Sequence, residues 1–200
     1  MGFGFLFLGV MFLFDSQIAL TESDSGALYG IVDLFPDVIG WILLFFGLNA
    51  LGKKESGFAL LRRSALILLV LSLVSLAKDT LFFSSFYEVG NGKQGFAGNL
   101  LDDFEHLATL FFLFVLYRKT SYVCHVRGEE KLSRFHALVP KLCVTEGILT
   151  ALLAILRTFV THDGGLMMVN VLSRLDFIFW VFLIWAAVIA FVRALMKIDS

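Results

Sequence analysis

Residues 31–48 read "IVDLFPDVIGWILLFFGL", with Asp33, Pro36 and Asp37 standing directly ahead of an apolar run without a single charge. Three rules decide how this stretch folds. The residue before a proline is pushed out of the helical region, proline itself fits the first helical position, and the first turn of a helix favours an anion. Phe35-Pro36 therefore predicts the start of a helix, with Asp37 in its opening turn. The helix that follows offers no charged face to water.

The rest of the chain has the same character. Of 200 residues, 58% are hydrophobic and only 16% charged, and the mean hydropathy is +0.86. A soluble core has no room for that much apolar surface, whereas a bilayer dissolves it, at about 20 apolar residues per spanning helix. The fold class this predicts is all-α: a polytopic membrane helix bundle forming a single transmembrane domain over residues 1–200.

Six helices are expected, at roughly 2–20, 36–52, 60–83, 100–120, 138–160 and 167–195. "MGFGFLFLGVMFLF" lacks the positive segment and small-residue cleavage site of a secretory signal, so it reads as a retained first span. Its apolar run breaks at Asp15, which leaves room for it to tilt, stop short or re-enter.

Alternating helices place twelve basic residues on one side: Lys53, Lys54, Arg62 and Arg63, the set from Arg118 to Lys141, and Arg193 with Lys197. Lys78, Lys93, Arg157 and Arg174 make four on the other. The positive-inside rule then puts both termini in the cytoplasm of a plasma membrane, with Asp33 and Asp37 facing out. Cys124 and Cys143 fall on the cytoplasmic side and are expected to be reduced.

Ionisable residues inside a span are costly and mark functional sites by default. Glu146 lies about two turns into the fifth helix, too deep for a short side chain to reach the interface, and is expected to be neutralised by a proton or a cation, with Arg62 and Arg63 as candidate partners. Arg174 and Asp176 lie one to two turns into the sixth helix. Two residues apart, they cannot face each other, so each needs a partner on another helix. Arg174 with Asp33, Asp37, Asp102 or Asp103, and Asp176 with Lys78 or Arg157, are the pairings considered. Together these residues form a candidate substrate cluster in the outer half. Helix-end capping accounts for the outer acids equally well, and structural ion pairing for the buried ones.

"LLDDFEHLATLFF" brings Asp102, Asp103 and His106 to one helix face, a trio able to pass protons. It lacks the further ligands of a committed metal site, and His162 in "THDGG" reads as turn chemistry. No metal or cofactor motif occurs. "EEKLSR", Glu129 to Arg134, has the Glu-Glu-x-x-x-Arg spacing of intramembrane prenyl-protease-like enzymes but falls in the most charged segment, without the companion His motifs. The two prolines, in "LFPD" and "LVPK", open the second and fifth helices in this reading, a thin hint of an inverted repeat. Gly26/Gly30, Gly40/Gly47 and Ala186/Ala190/Ala194 are candidates for close helix contacts.

"VDLFPDVIGWILLFFGLNALGK", about a tenth of the chain, resembles a pattern recurring in multi-pass membrane proteins of Gram-positive bacteria, Asp-x-x-Pro-Asp-x-Ile-Gly before an apolar helix. The resemblance implies a bacterial plasma membrane and singles out Asp33, Pro36, Asp37 and Gly40; it carries no activity. Six helices in 200 residues are also similar in layout to the substrate-capture subunits of energy-coupling vitamin transporters.

Three functions compete. A small-solute transporter or capture subunit would use the acidic outer side, Asp33, Asp37, Asp102, Asp103, His106, Arg174 and Asp176, to hold a small polar or cationic solute. A sensor or assembly partner would use the basic inner loop 118–141 to meet lipid or a membrane protein. An intramembrane enzyme ranks third, because no nucleophile and base are paired. The partners expected are the bilayer, a solute and a membrane protein; no basic-aromatic stripe suggests nucleic acid.

Overall fold

The computed structural model describes residues 2–13, 17–21, 28–33, 37–53, 57–80, 87–88, 93–94, 96–159 and 163–198. Six helices occur among them: α1 (Gly2–Phe12), α2 (Asp37–Gly52), α3 (Phe58–Thr80), α4 (Phe96–Val126), α5 (Glu130–Phe159) and α6 (Asp163–Ile198). Each packs against its neighbours in the chain, and α6 returns to α1, so the helices close into a ring. Three are long and apolar enough to cross a membrane, over Phe58–Ala77, Glu130–Leu156 and Val171–Ala190; Asp37–Gly52 is apolar but shorter. Their outer walls carry exposed large apolar residues such as Ile67, Phe111, Ile148 and Phe182, which fits a membrane location.

Most of the interior is apolar. Trp41 of α2 meets Phe112 of α4 edge to face, with ring centroids 5.0 Å apart. Around them Leu44, Leu48, Leu68, Leu113, Leu116 and Leu183 are buried. Tyr117 of α4 donates its hydroxyl to the Ala187 carbonyl of α6 across 3.0 Å. In hydrocarbon, such contacts hold a bundle by dispersion and hydrogen bonding, since lipid tails are as apolar as the core.

Glycine sets the close approach of α1 to α2. A Cβ on Gly9 of α1 would lie 2.7 Å from Leu44 Cγ, 2.8 Å from Leu44 N and 2.9 Å from the Gly40 carbonyl, so the two helix backbones touch. Gly40, which the sequence pattern singled out, is thus half of a Gly9/Gly40 crossing. Of the other small residues expected at helix contacts, Gly47 of α2 and Ala190 of α6 are buried, and Ala186 is partly buried against the core.

The structure corrects several expectations. The first helix ends at Phe12 rather than near residue 20, and at 1.5 Å per residue it covers about half of the hydrocarbon thickness. Beyond it, Gln17–Thr21 (β1) pairs antiparallel with Leu28–Asp33 (β2), Gln17 opposite Asp33. Ile18, Ile31 and Val32 prefer a strand to a helix, and each ribbon partner supplies the hydrogen bonds the other needs. A second short ribbon joins Tyr87–Glu88 (β3) to Lys93–Gln94 (β4).

The segment 118–141 is not a loop. Helices α4 and α5 both run through it and meet at Arg127-Gly128-Glu129. There the Gly128 N–H bonds the His125 carbonyl at 3.0 Å and the Glu129 N–H bonds Cys124 at 2.9 Å, the paired bonds of a glycine C-cap. Gly128 takes φ of +78°, which only glycine adopts freely. Pro140 consequently lies inside α5 instead of opening it, and the likeness of "LVPK" to "LFPD" as matching helix starts is lost. "DGG" of the expected 161–165 turn begins α6. Pro36 and His162 lie outside the described residues. Cys124 and Cys143 form no disulfide and are buried.

Candidate functional site

Because α5 starts at Glu130, Glu146 sits sixteen residues into it, not two turns, and thirteen residues before its end. It falls on a seam of buried positions three and four apart: His136, Val139, Cys143, Glu146, Thr150 and Leu153. That spacing points one stripe of α5 at α4 and the bundle interior. The Glu146 side chain is 1% exposed. Neither of its carboxylate oxygens has a hydrogen-bond partner.

The ionisable group facing it is the imidazole of His106 on α4. Its Nε2 lies 3.8 Å from Glu146 Oε1, within ion-pair range but too long for a hydrogen bond. This corrects the expected pairing of Glu146 with Arg62 or Arg63. Arg62 sits five residues into α3 and donates to Asn49 Oδ1 of α2 at 2.9 Å. The added turns at the start of α5 move Glu146 away from that level.

A third helix completes the site. Thr150, one turn beyond Glu146, donates its hydroxyl to Asp176 Oδ1 of α6 at 3.3 Å. Asp176 is close enough for its charge to act on Glu146. Trp180, one turn along α6 from Asp176, meets the His106 ring edge to face at 4.6 Å and covers it. Three helices thus converge on two carboxyls, one imidazole and one hydroxyl, walled by an indole. At 1.5 Å per residue, His106, Glu146 and Asp176 lie about 15 to 20 Å from the ends of α4, α5 and α6 nearest them.

The remaining candidates are placed around this centre. Asp102 and Asp103 are partly buried one turn from His106 on α4, toward that same end. Asp37 begins α2 and is partly buried. Asp33 is the last residue of β2. Arg174 is exposed while Asp176, two residues on, turns toward α5, the divergence that helical geometry requires. His106, Glu146 and Asp176 are therefore brought together, and Arg174 is directed elsewhere. Thr150 and Trp180 were missed by the sequence reading. The signal was available: each stands four residues after an intramembrane acid, on the same face.

Two alternatives find no support in the geometry. No group of three or more His, Cys, Asp or Glu able to hold a metal occurs among the described residues. In "EEKLSR", Arg134 pairs with Glu130 at 3.7 Å one helical turn away, with side chains 84% and 70% exposed, an ordinary surface contact. No protein-family model matches the chain, and no curated protein or solved structure matches it either.

Proposed function

We propose that the chain is a small-solute transporter, or the substrate-capture subunit of one, that takes a cation into the Glu146–His106–Asp176 site. The single observation behind this is Glu146, a carboxyl buried in the bundle with no hydrogen bond to either oxygen. Such a group is neutralised either by its own proton or by a cation beside it. Its neighbours are one imidazole and a second carboxyl, a set that takes up a proton or a small cation at little structural cost. A purely structural ion pair would be better served by a bidentate arginine.

In this reading α2 to α6 pass between the two sides of a bacterial plasma membrane with the C-terminus in the cytoplasm, supported by the distribution of basic residues, and α1 enters the membrane without crossing it. The site lies near the middle of the hydrocarbon, and Asp102 and Asp103 draw cations toward it from outside. Since Glu146 is fully enclosed, loading requires α6 to move away from α5. The "VDLFPDVIG" resemblance is consistent with the bacterial setting.

A second reading rests on a different observation, the close-packed apolar interior around Trp41 and Phe112. A solid bundle suits a sensor or assembly partner that works through the basic α4–α5 hairpin. Native mass spectrometry in nanodiscs separates the two. A small cation that co-purifies with the wild type and is lost from a folded Glu146→Gln variant supports transport. An identical complement from both proteins removes the site.

A further inference from the structure

Near the α4–α5 turn, a groove of about 250 Å³ opens between the two helices, lined by Phe114, Arg118, Ser121, Ala137 and Pro140. We propose that this groove is a binding site for the phosphate group of an anionic phospholipid.

The groove arises from sequence. Pro140 lacks an N–H for the carbonyl four residues back, and its ring needs room beside the helix. Ala137, one turn earlier, adds little bulk, so the wall stays low. On the facing helix the Arg118 guanidinium lies 5.9 Å from the centre of the Phe114 ring, holding a cation at the mouth of the groove. Ser121 is fixed by its bond to the Ser133 carbonyl at 2.9 Å.

Position and charge select the ligand. Arg118 stands eight residues before the end of α4, and Pro140 ten after the start of α5. Both helices therefore run on for about 12 to 15 Å beyond the groove. That extension carries Arg127, Lys131 and Arg134, with Lys119 and Lys141 at the level of the groove, against only Glu129 and Glu130. In the other direction the flanking surface is apolar, with Phe111 69% and Val144 50% exposed. The extension also exposes Tyr122, Val126 and Leu138, so the groove lies where an apolar wall gives way to one of mixed basic and apolar character. A phosphodiester carrying two acyl chains matches both parts: the guanidinium offers paired donors to phosphate oxygens, and Phe114, Ala137 and Pro140 receive the glycerol and upper chains. A free anion has nothing to place against the apolar part. This site is independent of the transport reading.

The test is native mass spectrometry of the full chain released from detergent with phosphatidylglycerol or phosphatidylcholine of matched chains. The wild type is expected to retain the anionic lipid preferentially. Arg118→Gln should weaken that retention about five-fold, the effect of one basic residue at a membrane surface, while Lys131→Gln, out on the exposed extension, should change it less. Arg118 is exposed, so the variant keeps the fold, which circular dichroism checks. Equal retention of the two lipids, equal losses in the two variants, or displacement of the lipid by inorganic phosphate would each overturn the proposal.

Discussion

Gly9→Ala adds one methyl group where the backbones of α1 and α2 meet, and the structure fixes what it meets. The new Cβ would lie 2.7 to 2.9 Å from Leu44 Cγ, Leu44 N and the Gly40 carbonyl. Ordinary contacts are about 3.5 to 4.0 Å, so α1 and α2 must part by about 1 Å. Leu44 can swing its side chain aside, but the two backbone atoms move only with the helix. Overpacking of this kind costs about 1 to 3 kcal/mol. Against it, Gly→Ala in a helix gains about 0.5 to 1 kcal/mol from backbone entropy. Gly4 supplies the control, since it lies on the same helix with nothing within 4 Å of its would-be Cβ. Gly4→Ala should be neutral or stabilising, and the propensity gain cancels between the variants. The remaining difference, about 1 to 3 kcal/mol, belongs to the crossing. Equilibrium unfolding in mixed micelles, followed by tryptophan emission, measures it. Equal shifts in the two variants would refute the close Gly9/Gly40 approach.

Four further outcomes are expected. A double-mutant cycle of Glu146→Gln and His106→Gln should return a coupling of about 0.5 to 3 kcal/mol, and a value near zero would dissolve the pair. Tyr117→Phe removes one buried hydrogen bond to Ala187 and should lower stability by about 0.6 kcal/mol, the average for such bonds in membranes, with no change in helix content. Gly128→Ala forces a side chain into the left-handed region at the α4–α5 turn and should cost about 1 kcal/mol; Gly128→Asn should cost less, and a reversed order would contradict the turn geometry. For orientation, Lys93→Cys in a cysteine-free background should react with an impermeant maleimide from outside intact cells and His125→Cys should not; Cys124 is itself buried and makes a poor reporter.

Helix number and the start of α2 were legible because apolar runs and polar breaks are local signals. Helix ends were less so. At α1, apolar Ile18 and Leu20 continue the hydrophobic run, and only their partners in residues 30–32 turn them into a strand. Between α4 and α5, charged residues read as a loop although Gly128 followed by two glutamates marks a helix stop and a helix start. The site was legible one helix at a time. Glu146 and Asp176 stood out as ionisable residues inside a span, and His106 as one of a trio on a helix face with Asp102 and Asp103, yet which would meet depends on how α4, α5 and α6 rotate about their axes. That rotation is set by the buried seam on α5, whose polar members conceal it from a purely apolar periodicity.

The return of α6 to α1 has a consequence for biosynthesis. Closing the ring needs α6, the last of these helices to be made, so until then α1 to α5 form an open crescent. In that interval the Tyr117 hydroxyl lacks Ala187, and the Thr150 hydroxyl lacks Asp176. Both then face acyl chains or stray helices, a state that bilayers penalise and that membrane quality control is equipped to find. Substitutions that slow the docking of α6 should therefore be read first in the lifetime of the newly made protein, before any change in what the finished protein does.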